Sequence, residues 1–561
     1  MRILLLASAF NGLSQRVYRE LDLLHHQLEL LLSKQGKIDT EAIFVINPDL
    51  IICPLLKEYI PAEIWQNYRC LIVHPGIKGD RGPSSLDWAL IEGQTSWGVT
   101  LLQADQEMDA GDIWGSREFP MRTTSKASLY RREVTHAAVD LIKQALEQIQ
   151  HNSAKPIPLN YASADVRGYW HDPISQSDRA ISWQQPSKDI VRHINAADSQ
   201  PGLRVSLSGE LFLAYGAKQE TRLYGEPGEI IGQANGALCV ATQDSAVWLR
   251  QLKATSLNAI KLPASLSLNL RFGEDQLPDI RHMDHFHSDI KVTIAQHVAY
   301  IEFDFYNGAM DTLQCRKLIT EIRKLKLRAD IRVMVFMGGE DFWSNGIHLN
   351  IIEVSESPGR TSWTNIHAID DLVAEIILSP NHITVAALRC NAGAGGAVMA
   401  MACDRVAARD GVIMTPYYSN MGLHGSEYWR YLMPKRAGLE ATQRIRKQAH
   451  PLLASEALAI GLVDEIFNED WQEYHHTIEQ YAKALAKPDC HKDILAYKQI
   501  IRSKDEAEQP LQVYRNEALA IMQQQFFDPD SEYHRLRHNF VHKIETDEVP
   551  VGSASSNQAT G

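Results

Sequence analysis

The sequence predicts a multidomain α/β protein, in which two α/β segments flank a small β-barrel and a helical region closes the chain. Three observations carry this. The chain has 561 residues, enough for three or four domains at roughly 150 residues each. Short apolar runs alternate with helix-spaced segments over 1–170 and again from 291. Between them, 171–280 breaks into short runs set off by Gly and turn residues.

Taken in order, 3–8, 42–46, 50–53, 70–73 and 97–103 read as strands of a doubly covered sheet, while 13–32 and 126–149 have helical spacing. The opening MRILLLASAF carries an apolar run of only about seven residues, with polar residues straight after it. It reads as a first buried strand rather than a signal peptide. No stretch approaches the ~20 apolar residues a bilayer span needs, so the expected location is cytoplasmic. A helix at 187–197 precedes strands at 211–216, 228–231, 238–242 and 246–252. The polar segment 276–290 reads as a linker. The α/β pattern returns over 291–545, ending in helices over about 436–544 broken by a short strand at 461–466. Residues 546–561 have little to bury and read as a disordered tail.

Composition excludes several functions. Hydrophobic residues make up 45% and charged residues 22%, so cores form readily and wholesale disorder is excluded. The net charge of −13 speaks against a general nucleic-acid or anionic-membrane binder, which needs a basic surface. The seven Cys are odd in number and never spaced as CxxC, which argues against a zinc ribbon or a disulfide scaffold.

The densest polar cluster is LIVHPGIKGDRGP, starting at Leu71. A buried strand ends at His74 and a Gly/Pro loop follows. A second run, GVTLLQAD, leads into Asp109-Ala110-Gly111-Asp112. Ends of parallel strands are where α/β ligand sites form, and an Asp beside a His there orients and charges an imidazole that moves protons. On residue chemistry alone, a strand-end His bonded to backbone and an Asx turn account for the pair more simply.

The series HP…RG…ALxxG…GVT…DAGDI is similar in order and spacing to that of the 10-formyltetrahydrofolate-dependent formyltransferases, methionyl-tRNA formyltransferase being nearest in layout. The resemblance covers 1–270 and implies a Rossmann-like domain over 1–170 followed by an OB-like barrel over 171–275. It implies that His74 and Asp109 are catalytic, and that the loop from Cys53, Pro54 and Leu55 to residue 61 binds the pterin. One position departs: the family's catalytic Asn falls on Ile72. Loss of such an oxyanion donor typically costs about 10²–10³ in rate. A thiol acceptor, with a pKa of about 8.5, needs less help from a base than an alcohol. The barrel segment 171–280 holds 10 Lys+Arg against 12 Asp+Glu, unlike a surface that grips tRNA.

The second α/β segment carries two Gly-rich loops, GGEDFWSNGIHL from Gly338 and NAGAGGAV from Asn391. Gly-rich backbone entering a helix offers N–H groups to an anion or carbonyl oxygen, although close helix packing also calls for glycine. With NAGAGGAVMAMACDRVAA and MGLHGSEYW, these loops resemble the crotonase (enoyl-CoA hydratase/isomerase) family over the whole second half. The resemblance implies a crotonase-like fold that binds coenzyme A. Its oxyanion hole would be formed by the backbone N–H groups of Ile347 and Gly395. The family's two catalytic glutamates fall on Val398 and Tyr418, so ordinary hydration is not expected. Tyr418, His424 and Glu427 are the candidate replacements. Glu427 follows Ser426, which reads as a helix N-cap, so a first-turn acid explains it as well. Arg537 and Lys543 are candidates for CoA phosphates. No metal site is expected, and the cluster His282, Asp284, His285 and His287 sits in the linker.

A formyl-folate domain joined to a crotonase lacking its acids resembles, over its whole length, the HypX/HoxX family of nickel–iron hydrogenase maturation factors. That resemblance implies CO production: formyl transfer from 10-formyltetrahydrofolate to CoA, then decarbonylation of formyl-CoA. It implies formyl-folate, CoA and hydrogenase assembly proteins as partners, and neither nucleic acid nor membrane. A formyltransferase acting on a small amine or sugar nucleotide, and a non-catalytic CoA-binding scaffold, are the alternatives.

Overall fold

The computed structural model describes residues 1–273 and 280–544. The chain divides into two compact units, with the boundary between Ser288 and Asp289.

The first unit opens with a six-stranded sheet: β1 (Arg2–Ala7), β2 (Gln27–Leu32), β3 (Leu50–Cys53), β4 (Cys70–His74), β5 (Ser96–Gln103) and β6 (Ile113–Pro120), in the order β2-β1-β3-β4-β5-β6. The first four run parallel, and β5 alone is reversed, pairing antiparallel with both β4 and β6. Both faces are covered. Ile3 and Leu5 join one core and Leu4 and Leu6 the other, which is why β1 reads as a continuous apolar run. Two segments adopt a structure other than the one their spacing predicts. The helical stretch 13–32 is a helix, Gly12–Leu23, followed by β2; the chain turns through His25 at φ +58°. The strand at 42–46 is a helix, Thr40–Ile46, because Asp39 caps it by accepting from the Ala42 N–H at 2.9 Å. Of its apolar residues, Phe44 and Val45 face solvent.

The barrel region is antiparallel: β7 (Leu203–Leu207), β8 (Glu210–Glu220), β9 (Ile230–Ala234), β10 (Ala237–Ala241), β11 (Ala246–Ala254) and β12 (Leu262–Pro263). The order is β7-β8-β11-β10-β9, with β12 on β11. Helices Ser187–Ala196 and Ala264–Phe272 contribute Ile190, Ile194, Ala264 and Leu268 to its core. The segment read as a linker is packed where it is described. Ile280 enters this core, Met283 sits against the Trp248 cluster, and Asn235 donates to the His287 carbonyl at 2.7 Å. Its histidines are taken up separately: His287 stacks on Trp248 at 5.1 Å and His282 pairs with Gln233. Residues 276–279 and the tail 546–561 lie outside the described residues.

The second unit is built on β13 (Ile290–Ala295), β14 (Val298–Phe303), β16 (Val333–Gly338), β18 (Ile383–Leu388), β20 (Arg405–Arg409) and β23 (Glu465–Phe467), paired in that order. Only β13 runs antiparallel to its neighbour. Two small sheets sit beside it, β15 (Ala309–Met310) with β17 (Gly346–Ile347), and β19 (Ala392–Gly393) with β21 (Ile413–Thr415) and β22 (Leu452–Leu453). They carry the two Gly-rich loops. The helical region runs from Trp429–Gln448 to Glu532–His542.

Candidate active sites in the two units

In the first unit, His74 ends β4 and is 4% exposed. Its Nδ1 lies 3.5 Å from Asp109 Oδ2. Because β5 runs antiparallel to β4, Asp109 comes not from a neighbouring parallel strand end but from the loop joining β5 to β6. Asp109 holds φ +56° there and accepts from the Gly82 N–H at 3.2 Å. The other ring nitrogen, Nε2, lies 2.7 Å from Oδ2 of Asp80, a residue sequence reading passed over. Asp80 Oδ1 in turn meets His171 Nδ1 at 3.2 Å. Burial alone would lower the His74 pKa, but Asp109 and then Asp80 outweigh it, so the imidazole is held above its usual value. Glycine is required at 76, where a Cβ would lie 2.3 Å from Asp80 Oδ2 and 2.4 Å from His74 Nε2. The signal for Asp80 was its place inside GDRG, the loop already singled out.

Cys53 and Pro54 are buried where β3 ends, and Leu55 is half-buried. This loop is tied to the rest of the site: the Leu55 carbonyl accepts from the Ser8 N–H, and Tyr59 Oη donates to the Gln106 carbonyl at 3.0 Å. Ile72, between Cys53 and Leu102 in the sheet, offers no donor from its side chain.

In the second unit, the two Gly-rich loops are stitched together. Trp343 Nε1 donates to the Gly396 carbonyl and the Gly393 N–H to the Ser344 carbonyl, both at 2.9 Å. Ile347 lies in β17, and Gly395 in the first turn of helix Ala394–Met401, where N–H groups have no acceptor within the helix. A Cβ built on Gly346 would lie 3.4 Å from the Gly395 nitrogen, so the two strands of backbone adjoin.

Glu427 stands against this backbone. A Cβ on Gly395 would lie 2.0 Å from Glu427 Oε1. Its Oε2 accepts from Tyr418 Oη and from the Ser426 N–H, each at 2.8 Å. Glu427 is 2% exposed, with φ +50°. Burial, and after it the neighbouring Asp370, push its carboxyl up to about 8, so it carries its proton near neutral pH. Tyr418 is driven well above its ordinary value by burial and by Glu427. Ser426 is not a helix cap: the helix begins at Trp429, and Ser426 Oγ donates to Asp370 Oδ2 at 2.7 Å. Asp370 also accepts from the Glu427 N–H at 2.8 Å, and burial raises it to about 6. Arg515 lies 3.7 Å from Asp370 and pairs with Asp371 at 2.7 Å. Asp370 was findable, since it occupies the apolar stripe of helix Pro358–Ile377, beside Ile366, Ile369 and Val373.

The remaining candidates fall elsewhere. Val398 is a core residue. His424 tilts on Trp429, and burial with Arg446 and Arg430 lowers it to about 4, so it is neutral near pH 7. Arg537 is 5% exposed and donates to Glu353 at 2.6 Å. Glu353 also lies 2.7 Å from His538 and 3.6 Å from His542. The Arg537 guanidinium is thus committed to an internal pair, whereas Lys543 is exposed and lies over Phe540.

The fold is that of formyltransferase-type domains joined to a crotonase-type domain. Residues 33–146 match the family model described as formyl transferase, 173–266 its C-terminal domain, and 293–546 enoyl-CoA hydratase/isomerase. The hydrogenase maturation factor HoxX of Bradyrhizobium diazoefficiens is 41% identical over 560 residues, covering 98% of this chain and 96% of that protein. The structure of HypX from Aquifex aeolicus in complex with tetrahydrofolic acid superposes with a TM-score of 0.94 at 38% identity, over 99% of this chain and 98% of that one. A methionyl-tRNA formyltransferase of Geobacillus is 24% identical over 247 residues, covering 42% of this chain and 76% of that protein. The chain belongs to the HoxX/HypX family of hydrogenase maturation factors. Among the described residues, no helix is long and apolar enough to cross a membrane.

Proposed function

We propose that this chain makes CO for hydrogenase assembly by two coupled reactions. In the first unit, His74 and Asp109 promote transfer of the formyl group of 10-formyltetrahydrofolate to the CoA thiol. The C–N bond breaks, a C–S bond forms, and the proton given up by sulfur ends on the folate nitrogen. The loop from Cys53 to residue 61 receives the pterin. In the second unit, the N–H groups of Ile347 and Gly395 hold the thioester oxygen. Glu427, in its ionised form, takes the formyl proton. The C–S bond breaks, CO leaves, and the proton returns to sulfur, so CoA is regenerated.

The observation that carries this reading is the Glu427–Tyr418–Asp370 cluster packed against Gly395, and the crotonase resemblance aligns Tyr418 with one of the hydratase glutamates. A carboxyl raised to about 8 is, once ionised, a far stronger base than an ordinary glutamate. Formyl-CoA has no α-carbon, so the activated water that hydration needs has no role. Folate binding is supported by the tetrahydrofolic acid complex of the Aquifex protein; CoA is supported by the crotonase-type domain. Incubation with 10-formyltetrahydrofolate labelled with ¹³C in the formyl group, plus CoA, tests the first reaction by mass spectrometry. Labelled formyl-CoA formed by Glu427→Gln protein, and absent with His74→Ala, is expected. No labelled thioester in either would refute CoA as the acceptor.

A further inference from the structure

We propose that Asp80 is the positioning residue of the formyl-transfer site: it fixes His74 through Nε2, so that Nδ1 is the working nitrogen, while His171 holds Asp80 from behind. This rests on the reading of His74 as the group that moves the proton.

The two carboxylates beside His74 are not equivalent. Asp80 Oδ2 is within hydrogen-bond distance of Nε2 at 2.7 Å, whereas Asp109 Oδ2 stands 3.5 Å from Nδ1, beyond a good hydrogen bond. Asp80 is 1% exposed, so its carboxyl oxygens meet His74 and His171 rather than bulk water. The chain is shaped around it at three glycines. A Cβ at Gly76 would strike both Asp80 and His74, one at Gly168 would lie 2.0 Å from the Asp80 nitrogen, and one at Gly82 would lie 2.2 Å from the His171 carbonyl. The strap Gly168–Trp170–His171 is laced to the loop by Gly168 N–H to the Lys78 carbonyl at 2.9 Å and His171 N–H to the Arg81 carbonyl at 3.0 Å. His171 packs between Trp88 and Tyr169, and its Nε2 faces Glu92 at 3.6 Å. The charged and titratable groups arrayed about His74 are therefore Asp109 from the β5–β6 loop, Asp80 from its own loop, and His171 with Tyr169 and Glu92 behind it.

A carboxylate on one imidazole nitrogen keeps that nitrogen protonated and leaves the other to take and give the proton. Here Nδ1 faces Asp109, on the side of the candidate transfer site. With Ile72 supplying no amide, the Nδ1–H of the imidazolium is the donor available to the developing oxyanion. It then passes its proton to the departing folate nitrogen, and His74 regains a proton from the one the acceptor thiol releases. Folate N–formyl plus thiol S–H becomes folate N–H plus S–formyl, and the atoms balance.

The test compares the full-length chain with its Asp80→Asn variant in two ways. ¹⁵N-histidine NMR, with the His74 signals assigned by their loss in His74→Gln, should show Nε2 protonated throughout the pH range in the unsubstituted protein. In Asp80→Asn, Nε2 should titrate. The kcat for formyl transfer should fall about 10²–10⁴-fold, with KM for both substrates within about threefold. Removing the negative charge makes His74 release its proton more easily, so the high-pH limb of the rate profile should move to lower pH. An unprotonated Nε2 near pH 7 in the unsubstituted protein, or a kcat for Asp80→Asn within about threefold of it, would overturn the assignment. If the unsubstituted protein transfers no formyl group, the functional reading fails, while the NMR result still decides the role of Asp80.

Discussion

Replacing Glu427 by Gln should abolish CO formation and, above neutral pH, stabilise the protein. In the folded chain the carboxyl keeps its proton up to about 8, against 4.5 for an ordinary glutamate. Between those values the folded state binds more protons than the unfolded state, so stability falls as pH rises and levels off above about 8. At 1.36 kcal/mol per unit, holding this proton at pH 7 costs about 3 kcal/mol relative to acid conditions. Gln removes that dependence. It also keeps the local bonds, because Tyr418 and Ser426 both donate to Oε2, where the amide oxygen can sit. Calorimetric melts from about pH 5 to pH 9 provide the assay. The transition of the second unit should be similar in the two proteins near pH 5 and several degrees higher in Glu427→Gln at pH 8. A variant that is less stable at pH 8, or a difference that does not change with pH, would refute the claim that Glu427 is held protonated by its burial.

Three further outcomes follow from the same geometry. His74→Ala should lower formyl transfer at least about 10²-fold, read from labelled thioester, with tetrahydrofolate affinity changed little. Gly395→Ala drives a methyl group into Glu427 Oε1, so release of CO from formyl-CoA should fall about 10²-fold or more and the second unit should lose about 1–3 kcal/mol of stability, read from denaturant unfolding. Crotonyl-CoA should not be hydrated, because Val398 is a buried core residue; loss of its enoyl absorbance would contradict that.

The α/β segments were legible because a sheet covered on both faces writes itself as uninterrupted apolar runs such as ILLLA, Ile3 to Ala7. The failures have local causes. Residues 28–32 continue the helical spacing of the preceding helix, and only the turn at His25 separates them. The run 42–46 has a strand's composition, but the Asp39 cap makes it helical. Of the sites, the strand-end His74 and the Gly-rich loops stood out, since few residue types suit those places. Asp80, His171 and Asp370 did not, because their importance lies in partners distant in sequence: Asp80 meets His171 across 91 positions and Asp370 meets Glu427 across 57. The packing of 280–288 was hidden for a similar reason, as its few apolar residues, Ile280 and Met283, are buried by strands that precede it.

Conversion of a folate-borne formyl group into CO through CoA by one chain is open to direct test. The direct measurement is CO release from the purified protein given 10-formyltetrahydrofolate, with and without CoA, captured on deoxyhaemoglobin and read by its absorption shift. CO is expected only when CoA is present, and none with His74→Ala or Glu427→Gln. CO formed without CoA, or no CO from folded protein with both ligands bound, would contradict it.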